Sequence, residues 1–201
     1  MAKAQTVDKR QQILDAAVRV FARTGFHACR VSDIADEAGV AYGLVYHYFT
    51  SKDEVLNELF TERWSLLLTA IEEVDGQPRS AREKLDACAG FIIDSYRHNP
   101  ELMKVIIVEV TRAANSFGRT HLPEIRRAYE AIAEIVRHGQ ESGDFRADID
   151  AEFASMWFYG AIEQLLSGWV FELIPDGEAD FERARAMVVE TICGGLDARR
   201  A

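Results

Sequence analysis

The chain has 201 residues, 48% of them apolar, with 4 prolines and a formal charge of -10, which excludes a disordered polymer and allows one substantial core or a small domain beside a larger one. The opening MAKAQTVDKR has no apolar stretch of the signal-peptide kind, and no run approaches the roughly 20 apolar residues of a membrane-spanning helix, so a cytoplasmic protein without a membrane partner is expected. Val, Ile and Thr are scattered through segments of helical period and form no alternating runs, which predicts an all-α fold.

The first helix is expected to start at Asp8, whose carboxylate can cap the following amides with Gln11 three residues on. Ile13, Ala16, Ala17, Val20 and Phe21 recur at helical spacing, Gly25 ends the run, and Phe26 follows as a core plug. From Val31 to Tyr48, the order of Ile34, Ala35, Ala38, Gly39, Val40, Val45 and Tyr48 fits two short helices around a glycine turn. Ala35 is small where the helices cross, and Gly39 can take the positive φ of the turn. A DNA-binding helix-turn-helix fits this pattern, and so does an ordinary helical hairpin. Ser51-Lys52-Asp53-Glu54 then reads as a capping box opening a helix to about Val74, long enough at ~1.5 Å per residue to join a head to a distant body.

Asp75-Gly76-Gln77-Pro78 breaks that helix, and Ser80 with Glu83 opens the next. Further breaks are expected at Asn99-Pro100, His121-Leu122-Pro123, Ser142-Gly143-Asp144 and Pro175-Asp176-Gly177, dividing residues 79–201 into about five helices. Residues 150–174 are apolar around nearly their whole circumference, so that helix must be covered on several sides.

Charge is unevenly spread. Residues 1–52 hold seven basic against five acidic side chains, and the remainder carries an excess of twelve negative charges, so a mildly basic head sits on an acidic body. Cys29, Cys88 and Cys193 are too far apart for a zinc spacing and odd in number, which points to buried reduced thiols. The five histidines show no metal-ligand spacing, no glycine-rich phosphate loop follows a strand, and no G-x-S-x-G occurs. No catalytic, metal or cofactor residue is therefore assigned.

The stretch VSDIADEAGVAYGLVYHYFTSKDEVL, residues 31–56, with its aromatic Val45-Tyr46-His47-Tyr48-Phe49, resembles the DNA-binding head of the TetR family. The resemblance implies nine or so helices: a three-helix head over residues 1–52, and a ligand-binding and dimerisation body over 53–201. Function would then be that of a transcriptional regulator, by family default a repressor, which grips a palindromic operator as a homodimer and is released by a small apolar or amphipathic ligand. Gly139-Gln140-Glu141-Ser142-Gly143-Asp144-Phe145, Gly160-Ala161-Ile162-Glu163 and Gly168-Trp169-Val170 are similar to the bodies of the family's fatty-acid-degradation repressors, which implies a long-chain acyl-CoA as inducer. A DNA-binding protein without inducer is the alternative.

On this reading the recognition helix spans about Tyr42 to Tyr48, and Tyr42, Gly43 and His47 are the candidates to reach base edges. Tyr46, Tyr48 and Lys52 match positions that hold phosphates in the family, and Arg30 and Ser32 stand by the start of the preceding helix, with Ser32 as either a phosphate contact or its own helix's cap. Pocket candidates are Trp64, Leu68, Phe91, Met103, Ile107, Val110, Phe117, Tyr129 and Met156, with Arg112 and Arg119 near an acidic headgroup. The last two helices would form the dimer interface, through Phe158, Ile162, Leu165 and Trp169 on one and Met187, Val188 and Ile192 on the other.

Overall fold

A computed structural model describes the backbone of residues 2–112 and 117–197, and the side chains of residues 9–108 and 121–197. Among the described residues it has nine helices and no named strand: α1 (Ala2–Thr24), α2 (Val31–Ala38), α3 (Tyr42–Tyr48), α4 (Lys52–Asp75), α5 (Ala81–His98), α6 (Pro100–Arg112), α7 (Phe117–Ser142), α8 (Ala151–Val170) and α9 (Glu178–Leu196). They fall into two compact units, Met1–Arg63 with Glu101–Arg119, and Trp64–Pro100 with Thr120–Ala201.

The first unit is built around α1. Its residues Ile13, Leu14, Ala17, Val20 and Phe21 are buried against Ile34, Ala35 and Ala38 of α2, Val45 of α3, and Val55, Leu56 and Leu59 of α4. Each Ile, Leu, Val or Phe among them contributes roughly 1.5–3 kcal/mol when buried, which stabilises α2 and α3, helices too short to persist alone. Gly39 at φ 62°, ψ 38° closes α2, its N–H donating to the Asp36 carbonyl while Val40 N–H donates to that of Ala35, the paired bonds of a left-handed helix end. The compact unit runs past the boundary read at residue 52, because the first turns of α4 and Val105 of α6 belong to the same core.

α1 begins at Ala2, so Asp8 lies inside the helix and not at its cap. At α4 the expected box is shifted by one residue: Glu54 N–H donates to Ser51 Oγ at 3.2 Å, but the Glu54 carboxylate accepts from Thr50 Oγ1 at 2.7 Å. At α5 both halves are present, Ser80 N–H to Glu83 at 2.9 Å and Glu83 N–H to Ser80 Oγ at 3.3 Å.

In the second unit α5 packs on α8 and α9, and α8 on α9. Arg185 of α9 forks onto Asp86 of α5, Arg82 of α5 reaches Glu190, and Arg137 of α7 gathers Glu130, Glu134 and Glu152. Lys84, buried, donates to the Asp75 carboxylate at 2.9 Å, which also accepts from His138 Nδ1 at 3.2 Å. The break expected at His121-Leu122-Pro123 does not occur: α7 runs through Pro123. A proline removes one backbone donor, and here the buried stripe of Ala128, Ile132, Ala133, Ile135 and Val136 outweighs that loss. Other expected breaks hold, with Asn99 at the end of α5, Gly143 at φ 82° after α7, and Gly177 before α9. No described helix is long and apolar enough to cross a membrane.

Candidate functional site

The short α3 turns Val45 into the core and packs Tyr48 against it, which leaves Tyr42, Gly43, Tyr46 and His47 together on the solvent side. Tyr42 and Tyr46 are 54% and 44% exposed, their rings meet edge to face at 5.1 Å, and their hydroxyls lie 3.2 Å apart. The hydroxyl contact with Tyr42 holds the Tyr46 phenol above its ordinary pKa. A Cβ added at Gly43 would meet nothing within 4 Å, so its backbone lies bare between the two tyrosines. This stripe of hydroxyls, an imidazole and open backbone has the chemistry to touch base edges and phosphates.

Other candidates differ. Arg30 is exposed, and no ion pair among the described residues engages its guanidinium; its N–H donates to Asp33 at 2.8 Å. The cap position of α2 belongs to Arg30, which makes Ser32 the second helical residue and not the cap. Lys52 is turned inward: its ammonium donates to the carbonyls of Phe26, His27 and Cys29 at 2.8, 3.1 and 2.9 Å and lies 4.7 Å from the Phe26 ring centre. All three of its donors are spent on the α1–α2 loop, so Lys52 staples that loop and has none left for a phosphate. Arg10 is held by Glu58 and Glu62, and Arg19 and Arg23 share Glu37, whose carboxyl the two arginines hold below its ordinary pKa. Of the six basic side chains described between residues 9 and 52, Arg10, Arg19 and Arg23 are thus paired with carboxylates, which leaves Lys9, Arg30 and Lys52 without an acidic partner among the described residues.

The pocket candidates come from both units. Trp64, Leu68, Phe91, Tyr129 and Met156 belong to the second unit, whereas Met103 and Ile107 are buried residues of the first. Val110, Arg112, Phe117 and Arg119 lie outside the described side chains. Tyr129 and Met156 do share a cavity of about 410 Å³ with Leu122, Ile125, Arg126 and Ser155, and Leu68 lines another of about 310 Å³ with Ile71, Arg127 and Glu134. Leu122, Ile125 and Tyr129 follow helical spacing and could have been read as a lining face, but only once Pro123 is allowed inside a helix.

Behind that cavity the Tyr159 ring lies 5.4 Å from Tyr129 and 5.6 Å from Trp64. Burial, with the charge of Glu163, pushes the Tyr129 phenol up to about 12, and burial raises the Glu163 carboxyl. His121 is buried, which lowers its pKa against the opposing pull of Glu124.

The expected interface residues of α8 and α9 need correction. Phe158 is 1% exposed, and Ile162, Trp169 and Val188 are also buried within the protomer; Leu165 and Ile192 are half-buried. α8 leaves open Glu152, Phe153, Met156, Trp157 and Gln164, and the open residues of α9 include Met187, Thr191, Gly194 and Gly195, with Trp157 72% and Met187 61% exposed. A helix apolar all round does not reveal its inward phase from composition. Contact with α5 and α9 sets it.

Comparison with known proteins agrees with this layout. Residues 13–59 match the family model described as bacterial regulatory proteins, tetR family, and residues 82–192 match the tetracyclin repressor-like C-terminal domain. The chain is 31% identical over 191 residues to the fatty acid metabolism regulator protein of Bacillus subtilis, covering 94% of this chain and 95% of that one. It is similar in structure to the fatty acid degradation regulator FadR of Bacillus halodurans, with a TM-score of 0.84 and 27% identity over 95% of this chain and 97% of that one. It is also similar to FadR of Bacillus subtilis in complex with stearoyl-CoA, with a TM-score of 0.82 and 27% identity over 93% and 99% of the two chains.

Proposed function

Because the chain belongs to the tetR family of bacterial regulatory proteins and is a transcriptional regulator, we propose that it is a repressor released from its operator by long-chain acyl-CoA. The observation that carries the ligand is the likeness over almost the whole chain, body included, to a regulator solved with stearoyl-CoA. The apolar cavity of about 410 Å³ with the exposed Arg126 beside it supports an amphipathic ligand that has an anionic end.

In this reading residues 1–52 hold the DNA-binding function and residues 53–201 those of ligand binding and dimerisation. Tyr42, Gly43 and His47 read bases, while Arg30, Ser32, Tyr46 and Tyr48 position the backbone. One seven-residue helix reads too few base pairs to be selective, so two protomers, joined through the open faces of α8 and α9, address a palindrome in the cytoplasm. Binding involves no catalytic step. α4 is one unbroken helix with residues in both units, so a displacement at its far end travels along its backbone hydrogen bonds to the head. Ligand acts only through its preference for the conformation that does not bind DNA.

A gel shift on the protein's own upstream DNA, titrated with stearoyl-CoA, shorter acyl-CoAs and unrelated aromatic drugs, tests the proposal. Loss of the shifted band with long-chain acyl-CoA alone is the expected result. Persistence of the band at saturating stearoyl-CoA would refute the inducer, and absence of any shift would refute the operator.

A further inference from the structure

Val55, Leu56 and Leu59 bury the first turns of α4 in the head, but hydrophobic burial is non-directional and settles the rotation of a helix about its axis less strictly than charged hydrogen bonds do. Such bonds reach α4 from two distant parts of the head. Lys52, its first residue, grips the carbonyls of the loop 26–29. Further along, Arg10 of α1 meets Glu58 and, at 3.0 Å, Glu62. Those two glutamates stand four residues apart on one face of α4, where like charges repel. The Arg10 fork spans both and removes that repulsion.

The same guanidinium lies 5.4 Å from the ring centre of Phe49, within range of a cation–ring attraction. Phe49 is buried at the end of α3, and its N–H donates to the Val45 carbonyl at 2.9 Å. One group therefore joins α1, the end of α3 and a face of α4. Its side chain is 34% exposed and those of Glu58 and Glu62 are 36% and 39% exposed, so water screens the clamp only in part. Glu62 stands next to Arg63, where α4 leaves the first unit.

We propose that Arg10 is a positioning residue for operator selectivity. By holding Glu58, Glu62 and Phe49 together it sets the angle of α3 against α4, and so the fit of Tyr42, Gly43 and His47 to base edges, without touching DNA itself. The inference rests on α3 being the helix that meets the duplex. Base readout needs side chains placed to within about 0.5 Å, whereas binding to any duplex draws on charge alone. Loosening the clamp therefore removes selectivity before it removes affinity for DNA in general.

The test is fluorescence anisotropy of the full-length protein, across a salt series, with two duplexes of equal length: its own upstream DNA and the same bases shuffled. Arg10→Met keeps the alkyl stem over Phe49 and removes the charge, and the double variant Glu58→Gln, Glu62→Gln removes the partners. In both, preference for the upstream duplex is expected to fall about tenfold, with the salt slope of Arg10→Met unchanged. The double variant separates the clamp from net charge, because losing two negative charges favours binding to any DNA and yet the preference falls. Arg10→Lys, which keeps the charge without the planar fork, is expected to recover part of it. A phosphate ligand would instead weaken both duplexes alike and lower the salt slope by about one. A side chain needed only for stability would weaken both in proportion to the unfolded fraction. Either of those results, or an unchanged preference in the double variant, overturns the proposal. If Arg10→Met loses helix content by circular dichroism, the double variant decides alone. A parent protein with no preference for its upstream duplex overturns the operator reading and the proposal together, whereas a parent preference shared by the variants overturns the proposal only.

Discussion

Lys52 shows how much a single side chain's direction matters. Its three hydrogen bonds to the Phe26, His27 and Cys29 carbonyls predict that Lys52→Met destabilises the protein by about 2 kcal/mol, measured by urea unfolding. The same substitution should leave the salt dependence of operator binding unchanged, whereas losing a phosphate ligand would lower the slope by about one. Asp75 makes a second prediction. Burial alone would raise its pKa, but the Lys84 ammonium and His138 outweigh burial and leave it below the ordinary 3.8. A folded-state pKa below the unfolded one means that the stabilisation is complete above the unfolded value and is lost as pH falls through the folded one. Asp75→Asn should therefore be less stable than the parent by about 1 kcal/mol at pH 6, with the gap in urea midpoint closing below about pH 4.

Among the elements, the join between α7 and α8 has the least tolerance for added bulk. A Cβ at Gly139 would lie 2.5 Å from Phe145 Cδ2 and 2.7 Å from the Ala81 methyl, and Phe145 N–H donates to the Gly139 carbonyl at 2.9 Å. Gly139→Ala is predicted to destabilise the fold by about 1–3 kcal/mol, read from its thermal midpoint, although alanine is the better helix former. An increase in stability would show that Phe145 can move aside. Pro123 makes the opposite point: an interruption that usually ends a helix is overridden where the apolar face beyond it is buried.

At the scale of the whole molecule, the question is which surface holds two copies together. Phe158 is enclosed within its own protomer and Trp157 is open, so neighbouring residues on α8 should fail in different ways. Trp157→Glu is predicted to yield folded monomers in sedimentation velocity, with operator affinity reduced about a hundredfold or more, since one head cannot gain from its partner. Phe158→Ala should instead lower stability by about 3–5 kcal/mol. A Trp157→Glu protein that remains dimeric would move the interface elsewhere.

The chain by itself determined the helical class, the paired short helices about Gly39, the capping at Ser80 and most of the helix ends, because these depend on neighbours within a turn or two. It also showed the solvent-facing Tyr42, Gly43, Tyr46 and His47, since Val45 and Tyr48 between them carry the apolar phase of α3. Tertiary structure alone decided the rest. Lys52 reads as a free cation until the loop 26–29 folds over it. α8 is apolar on every side, so only its packing could say that Phe158 faces in and Trp157 out. Whether a charge is matched depends on residues distant in sequence: Arg185 meets Asp86 across 99 positions, whereas Glu163 meets no such partner among the described residues.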